Sequence, residues 1–249
     1  MAASSAEGAP APRRPRRVVI VPGNGCSGNV RDANWYGWLE DTLKAEGHFD
    51  EVVLRNMPDP VMARESKWLP FLRGPCGCDA ETIVVGHSSG AEAAMRLAET
   101  VPLFGIVLVS ACWTDLGEES EAIAGYYNRP WEWEAILRNT QFVAQFHSTD
   151  DPFIPVSEAQ HVADNLAGGA DSSFSLLEGR SHFFEPFPEL LAELRTRARG
   201  AAGGAAGGGA AAADAGGADA AGAAGSAASR CGSLVMMWHI KIWSLNHYQ

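Results

Sequence analysis

Residues 82–100 read TIVVGHSSGAEAAMRLAET. Ile83-Val84-Val85 is a short apolar run of the kind that makes a fully buried strand. Ala91 to Glu99 consists of good helix formers. Between them stands Gly86-His87-Ser88-Ser89-Gly90, a G-x-S-x-G. A strand, a tight glycine-flanked turn and a helix form the setting of a nucleophile elbow. Such a turn strains its central residue, and bulk two positions to either side would clash; Gly86 and Gly90 remove that bulk. Ser88 is then placed at the carboxyl end of the strand with its hydroxyl exposed. The Ser89 N–H would face the same space at the helix N-terminus, where a developing oxyanion could be held. The pattern alone also fits an ordinary serine in a strand–helix turn, so the rest of the chain has to decide.

Outward from the elbow, strands and helices alternate. Strands are expected at Arg17–Val21, Glu51–Arg55, Gly105–Ala111, Phe142–Phe146 and Phe174–Leu177. Helical patterns occupy Ala33–Glu46, Ala63–Leu72, Trp131–Arg138, Val156–Leu166 and Pro188–Arg197, with Pro60 able to open the second of these. This alternation predicts an α/β fold: a mostly parallel sheet of about six strands with helices on both faces. The first strand should lie beside the third, near the carboxyl edge where ligand sites form.

The chain has 249 residues and a formal net charge of −11. That charge argues against nucleic acid or an anionic membrane surface as partner. No apolar run reaches the roughly 20 residues of a membrane span. Cys26, Cys76, Cys78, Cys112 and Cys231 are odd in number and scattered, so they do not read as a disulfide framework. Cys76-x-Cys78 lacks a second pair at zinc spacing and reads as surface thiols, with no metal site expected. Residues 1–17 lack the apolar core of a secretory signal. Residues 1–16 read as a disordered arm, with organelle import by residues 1–17 as the alternative to a cytoplasmic location. Residues 17–199 form the expected domain. Residues 200–230 are an Ala/Gly-rich low-complexity linker. Residues 231–249 are an apolar tail that either docks, binds a partner or is non-native sequence.

A serine hydroxyl needs a base to take its proton, and the base needs an acid to orient it. In α/β-hydrolase order the acid and then the histidine follow the serine. Asp150 and Asp151 both follow the fifth strand. The D-x-x-[VI]-P pattern, completed by Ile154-Pro155, favours Asp151. His182 is the histidine in the loop after the sixth strand. His87 adjoins the nucleophile, but alternate side chains point apart, so it reads as a supporting group. The second oxyanion donor belongs to the loop after the first strand, with the Asn24 N–H as first choice and Gly25 as second. Trp35, Tyr36, Trp38, Trp68, Trp131 and Trp133 either line an apolar pocket or fill the core.

The blocks VIVPGNG, WYGW, NMPDP, ARESKWLPF, IVVGHSSGAEAAMR, IVLVSA, RPWEW and STDDPFIP together resemble the retinoblastoma-binding protein 9-like serine hydrolases of the α/β-hydrolase superfamily. The resemblance runs from about Val18 to Pro155 and more loosely through His182. It implies a compact hydrolase with little or no lid, no cofactor, and a triad carried by Ser88, Asp151 and His182. An L-x-C-x-E motif is absent: Cys76-Gly77-Cys78-Asp79-Ala80 stands in its place, so binding to the retinoblastoma pocket is not expected. His147 stands where a small residue is usual. The expected activity is cleavage of a small ester or amide through an acyl-enzyme. The rival is an interaction module on a hydrolase scaffold.

Overall fold

A computed structural model describes residues 14–169 and 171–200. Among these residues six strands form one parallel sheet: β1 (Arg17–Val21), β2 (Glu51–Leu54), β3 (Thr82–His87), β4 (Gly105–Val109), β5 (Phe142–Ser148) and β6 (Ser172–Leu177). Their order across the sheet is β2-β1-β3-β4-β5-β6. β1 therefore lies between β2 and β3, in register Val19↔Val84.

Among the described residues there are seven α-helices, the first six between strands and the last after β6: α1 (Tyr36–Glu46), α2 (Glu65–Arg73), α3 (Ser89–Ala98), α4 (Glu119–Ala124), α5 (Trp133–Asn139), α6 (Val156–Leu166) and α7 (Pro188–Gly200). Alternation along the strands divides their side chains between two cores. Val19, Val21, Val84, Ile106 and Leu108 join Trp68 and the alanines of α3 on one face. Val18, Ile20, Val85, Val107 and Val109 join Trp35, Leu39 and Leu190 on the other. Being covered on both sides explains why β3 and β4 are apolar without alternation.

Several expectations need correcting. Cys76 and Cys78 are buried, not surface thiols. The Cys76 and Cys78 N–H groups donate to the Phe71 and Leu72 carbonyls, which folds this loop back on the end of α2. Burial pushes the Cys76 thiol up to about 11 and the Cys78 thiol higher still. β4 stops at Val109, because Ser110 turns into the left-handed region at φ 51°. Pro60 does not open α2. The chain first makes a turn in which the Ala63 N–H donates to the Asp59 carbonyl, and the Asp59 carboxylate takes the Arg64 guanidinium at 2.6 Å.

At the N-terminal end, Arg14 and Arg16 reach the Asp50 carboxylate at 2.9 and 2.6 Å. The expected arm otherwise falls on residues 1–13, and the linker and tail on residues 201–249; both lie outside the described residues. Among the described residues, no helix is long and apolar enough to cross a membrane.

Candidate active site

Ser88 closes β3 and caps α3 with φ 53° and ψ −126°, a conformation that costs energy in a non-glycine residue. The flanking residues allow it. A Cβ on Gly86 would fall on the backbone of Gly90 and Ala91, and one on Gly90 would fall on the Val21 and Pro22 carbonyls. The Ser88 N–H is held by the Val109 carbonyl at 2.9 Å, which ties the elbow to β4.

Asp151 and His182 come from the loops after β5 and β6. His182 Nδ1 lies 2.9 Å from Asp151 Oδ2 and 3.1 Å from Oδ1. The aspartate side chain is fully buried and the histidine nearly so, at 0% and 7% exposure. The remaining capacity of the carboxylate is filled from its own surroundings. Ser110 Oγ donates to Oδ2 at 2.8 Å. The Phe153 and Ile154 N–H groups donate to Oδ1 at 3.0 and 3.1 Å. Burial alone would raise the Asp151 pKa, but the His182 bond and these amides outweigh it and hold it at about 2. An ionised Asp151 requires a proton on Nδ1 of His182, so Nε2 is free to act as a base.

Asp150 does a different job. Its Oδ1 accepts from Ser148 Oγ at 2.5 Å and from the Ser181 N–H at 3.0 Å. These bonds, that from Ser148 first, lower its pKa. Ser181 and Phe183, on either side of His182, both sit at positive φ, 49° and 52°. The histidine is therefore presented from a tightly bent loop that Asp150 ties to the end of β5.

Ser88 and His182 border one cavity of ≈ 320 Å³ at the carboxyl edge of the sheet. No hydrogen bond joins Ser88 Oγ to His182 among the described residues; in uncomplexed hydrolases this contact is commonly long and tightens on the substrate. The oxyanion candidates separate clearly. The Ser89 and Asn24 N–H groups have no acceptor among the described residues, whereas the Gly25 N–H donates to the Pro60 carbonyl at 2.8 Å. Gly25, expected as the alternative donor, is thus occupied elsewhere.

A family model described as serine hydrolase matches residues 18–185. The chain belongs to the serine hydrolase family. Serine hydrolase RBBP9 of Rattus norvegicus is 49% identical over 169 residues, covering 68% of this chain and 88% of that protein. The ydeN gene product of B. subtilis superposes with a TM-score of 0.64 at 24% identity, covering 73% of this chain and 98% of that one. A carboxylesterase structure from the thaumarchaeon Nitrososphaera gargenis gives 0.57 at 14% identity, covering 76% and 92%. At those identities the two structures speak for the fold alone, an α/β-hydrolase.

In this member of the family, several residues that periodicity did not single out shape the cavity. The segment between β4 and α5 carries α4, whose Glu121 Oε1 accepts from Asn24 Nδ2 at 2.9 Å. This six-residue helix is a modest cover. Burial raises the Glu121 pKa, and the Asn24 bond works against that rise. Glu92, on α3 one turn after Ser88, is fully buried and accepts the Cys112 N–H at 2.9 Å. With no cationic partner among the described residues, burial holds it protonated well above the usual carboxylate range. Of the aromatic residues weighed from the sequence, Trp35 and Trp68 are core, while Tyr36 reaches the cavity.

Proposed function

We infer that this chain is a hydrolase of small esters or amides working through an acyl-enzyme. Ser88 Oγ attacks the carbonyl carbon while His182 Nε2 takes its proton. The Asn24 and Ser89 N–H groups receive the oxyanion, and collapse of the tetrahedral intermediate expels the alcohol or amine with the proton that His182 returns. Water then repeats the sequence on the acyl-serine and releases the acid. Asp151 keeps the histidine in the tautomer that can act and stabilises its charged form.

The observation that carries this reading is a single one. A strained serine opens on the same small cavity as a histidine whose far nitrogen is gripped by a buried, ionised aspartate. The cavity suits a compact acyl group. Met62, Phe153, Ile154 and Phe184 give it apolar walls. Glu118 and Glu121 line it beside the protonated Glu92, and no lysine or arginine does so among the described residues. An uncharged or amine-bearing substrate fits that field better than a carboxylate-bearing one.

The test is covalent labelling by a fluorophosphonate. The wild-type protein should label and Ser88→Ala should not, with circular dichroism showing both folded. Equal labelling of the two would remove Ser88 from the reaction.

A further inference from the structure

Tyr36 stands at the first turn of α1, and its hydroxyl meets partners from three segments. The Gly23 N–H donates to it at 3.0 Å and Asn34 Nδ2 at 3.1 Å. His87 Nδ1 lies 2.6 Å away. A phenol has one proton to give and two lone pairs to offer. His87 Nε2 faces a main-chain carbonyl, which only accepts, so on the neutral ring the hydrogen sits there and the Tyr36 proton points at Nδ1. That nitrogen is therefore the acceptor, and the ring hydrogen belongs to Nε2. Nε2 in turn donates to the main-chain carbonyl of His182 at 2.9 Å. The imidazole is neutral and has one tautomer open to it. Its burial, first of all, lowers its pKa to about 3.

The two ends of this chain of bonds matter to the reaction. At one end, the Asn24 amide lies between two anchored neighbours, Gly23 on the Tyr36 hydroxyl and Gly25 on the Pro60 carbonyl. At the other, the carbonyl belongs to the residue that supplies the base. We propose that Tyr36 is a positioning residue for the hydrolysis: its hydroxyl fixes the oxyanion loop directly and the main chain of His182 through His87, holding both in one register. This rests on the acyl-transfer reading given above.

Turnover of an activated 4-nitrophenyl ester by Tyr36→Phe, His87→Leu and His87→Gln tests the relay. Tyr36→Phe should lower kcat about tenfold or more with KM within about twofold, since the lost contact acts on the transition state and not on substrate binding. His87→Leu should do the same, and the double variant should lose little further, because both substitutions cut one chain. Glutamine can accept from the Tyr36 hydroxyl and donate to the His182 carbonyl, so His87→Gln should recover most of kcat. The ring 15N shifts of His87 in the unmutated protein should report the Nε2–H tautomer, a readout that does not depend on any variant folding. A wild-type kcat in Tyr36→Phe, or an Nδ1–H tautomer at His87, overturns the proposal. Fluorophosphonate labelling separates the two levels. A wild-type protein that does not label removes the hydrolase reading and this proposal with it. Labelling of wild type and Tyr36→Phe at equal rates removes the proposal alone.

Discussion

The Asp150 carboxylate accepts the Ser181 N–H at 3.0 Å, one residue before the histidine that Asp151 holds at 2.9 Å. Adjacent aspartates thus grip adjacent residues of one loop, the first by its main chain and the second by the imidazole. Asp151→Asn is expected to keep the fold but favour the wrong tautomer, lowering kcat on the order of 10⁴-fold by analogy with serine proteases. Asp150→Asn leaves the Nδ1 contact in place and should cost at most about tenfold. Parallel kcat measurements on one activated ester decide this. A crippled Asp150→Asn beside a mildly affected Asp151→Asn would reverse the two roles.

Arg96 is an internal fastener. It is 1% exposed, and its guanidinium donates to the carbonyls of Tyr126, Arg129 and Pro130. It also pairs with Glu99 at 2.5 Å and lies 3.7 Å from the centre of the Trp131 ring. Arg96→Met should strand these buried carbonyls and leave Glu99 only Arg129 at 3.5 Å and the Glu132 N–H, at a cost on the order of 3–5 kcal/mol. For a domain of this size that lowers Tm by about 10 °C. A thermal melt showing a fall under about 2 °C would contradict this role.

Glu92 gives stability a pH dependence of unusual sign for an acid. It is protonated in the fold, while in the unfolded chain it ionises above about pH 4.3. Between that pH and its raised folded pKa the native state binds the extra proton, so this residue makes stability fall as pH rises. Glu92→Gln keeps the shape and an acceptor for the Cys112 N–H without an ionisable proton. Its Tm should exceed that of wild type at pH 8, and the gap should close near pH 4. Equal melting of the two at pH 8 would show that Glu92 has a compensated charge.

The parallel sheet, the place of its first strand beside the third and the positions of Ser88, Asp151 and His182 were legible because each depends on signals a few residues long. An apolar run ends, a glycine turn or an Asp-Pro loop follows, and topology brings the strand ends to one edge. Tyr36 was not legible in its role. Its partners Gly23 and His87 lie 13 and 51 residues away, and only the closed fold shows that one hydroxyl serves both. Glu121 was invisible for the same reason, with Asn24 97 residues distant. Cys76 and Cys78 were misread because a Gly- and Pro-flanked segment resembles surface loop, although main-chain bonds to α2 turn both thiols inward. Gly25 fell out as an oxyanion donor through its bond to Pro60, another long-range pairing without a local trace.

The saturated hydroxyl of Tyr36 also constrains how this chain can drift. A side chain with its proton and both lone pairs in use has no single neutral replacement, since any change strands partners near Gly23, at Asn34 and at His87 together. Loss of this tyrosine has to arrive in company. Among descendants of a common ancestor, a lineage that loses the tyrosine should have rebuilt the histidine's surroundings as well, whereas position 87 can pass to glutamine by itself.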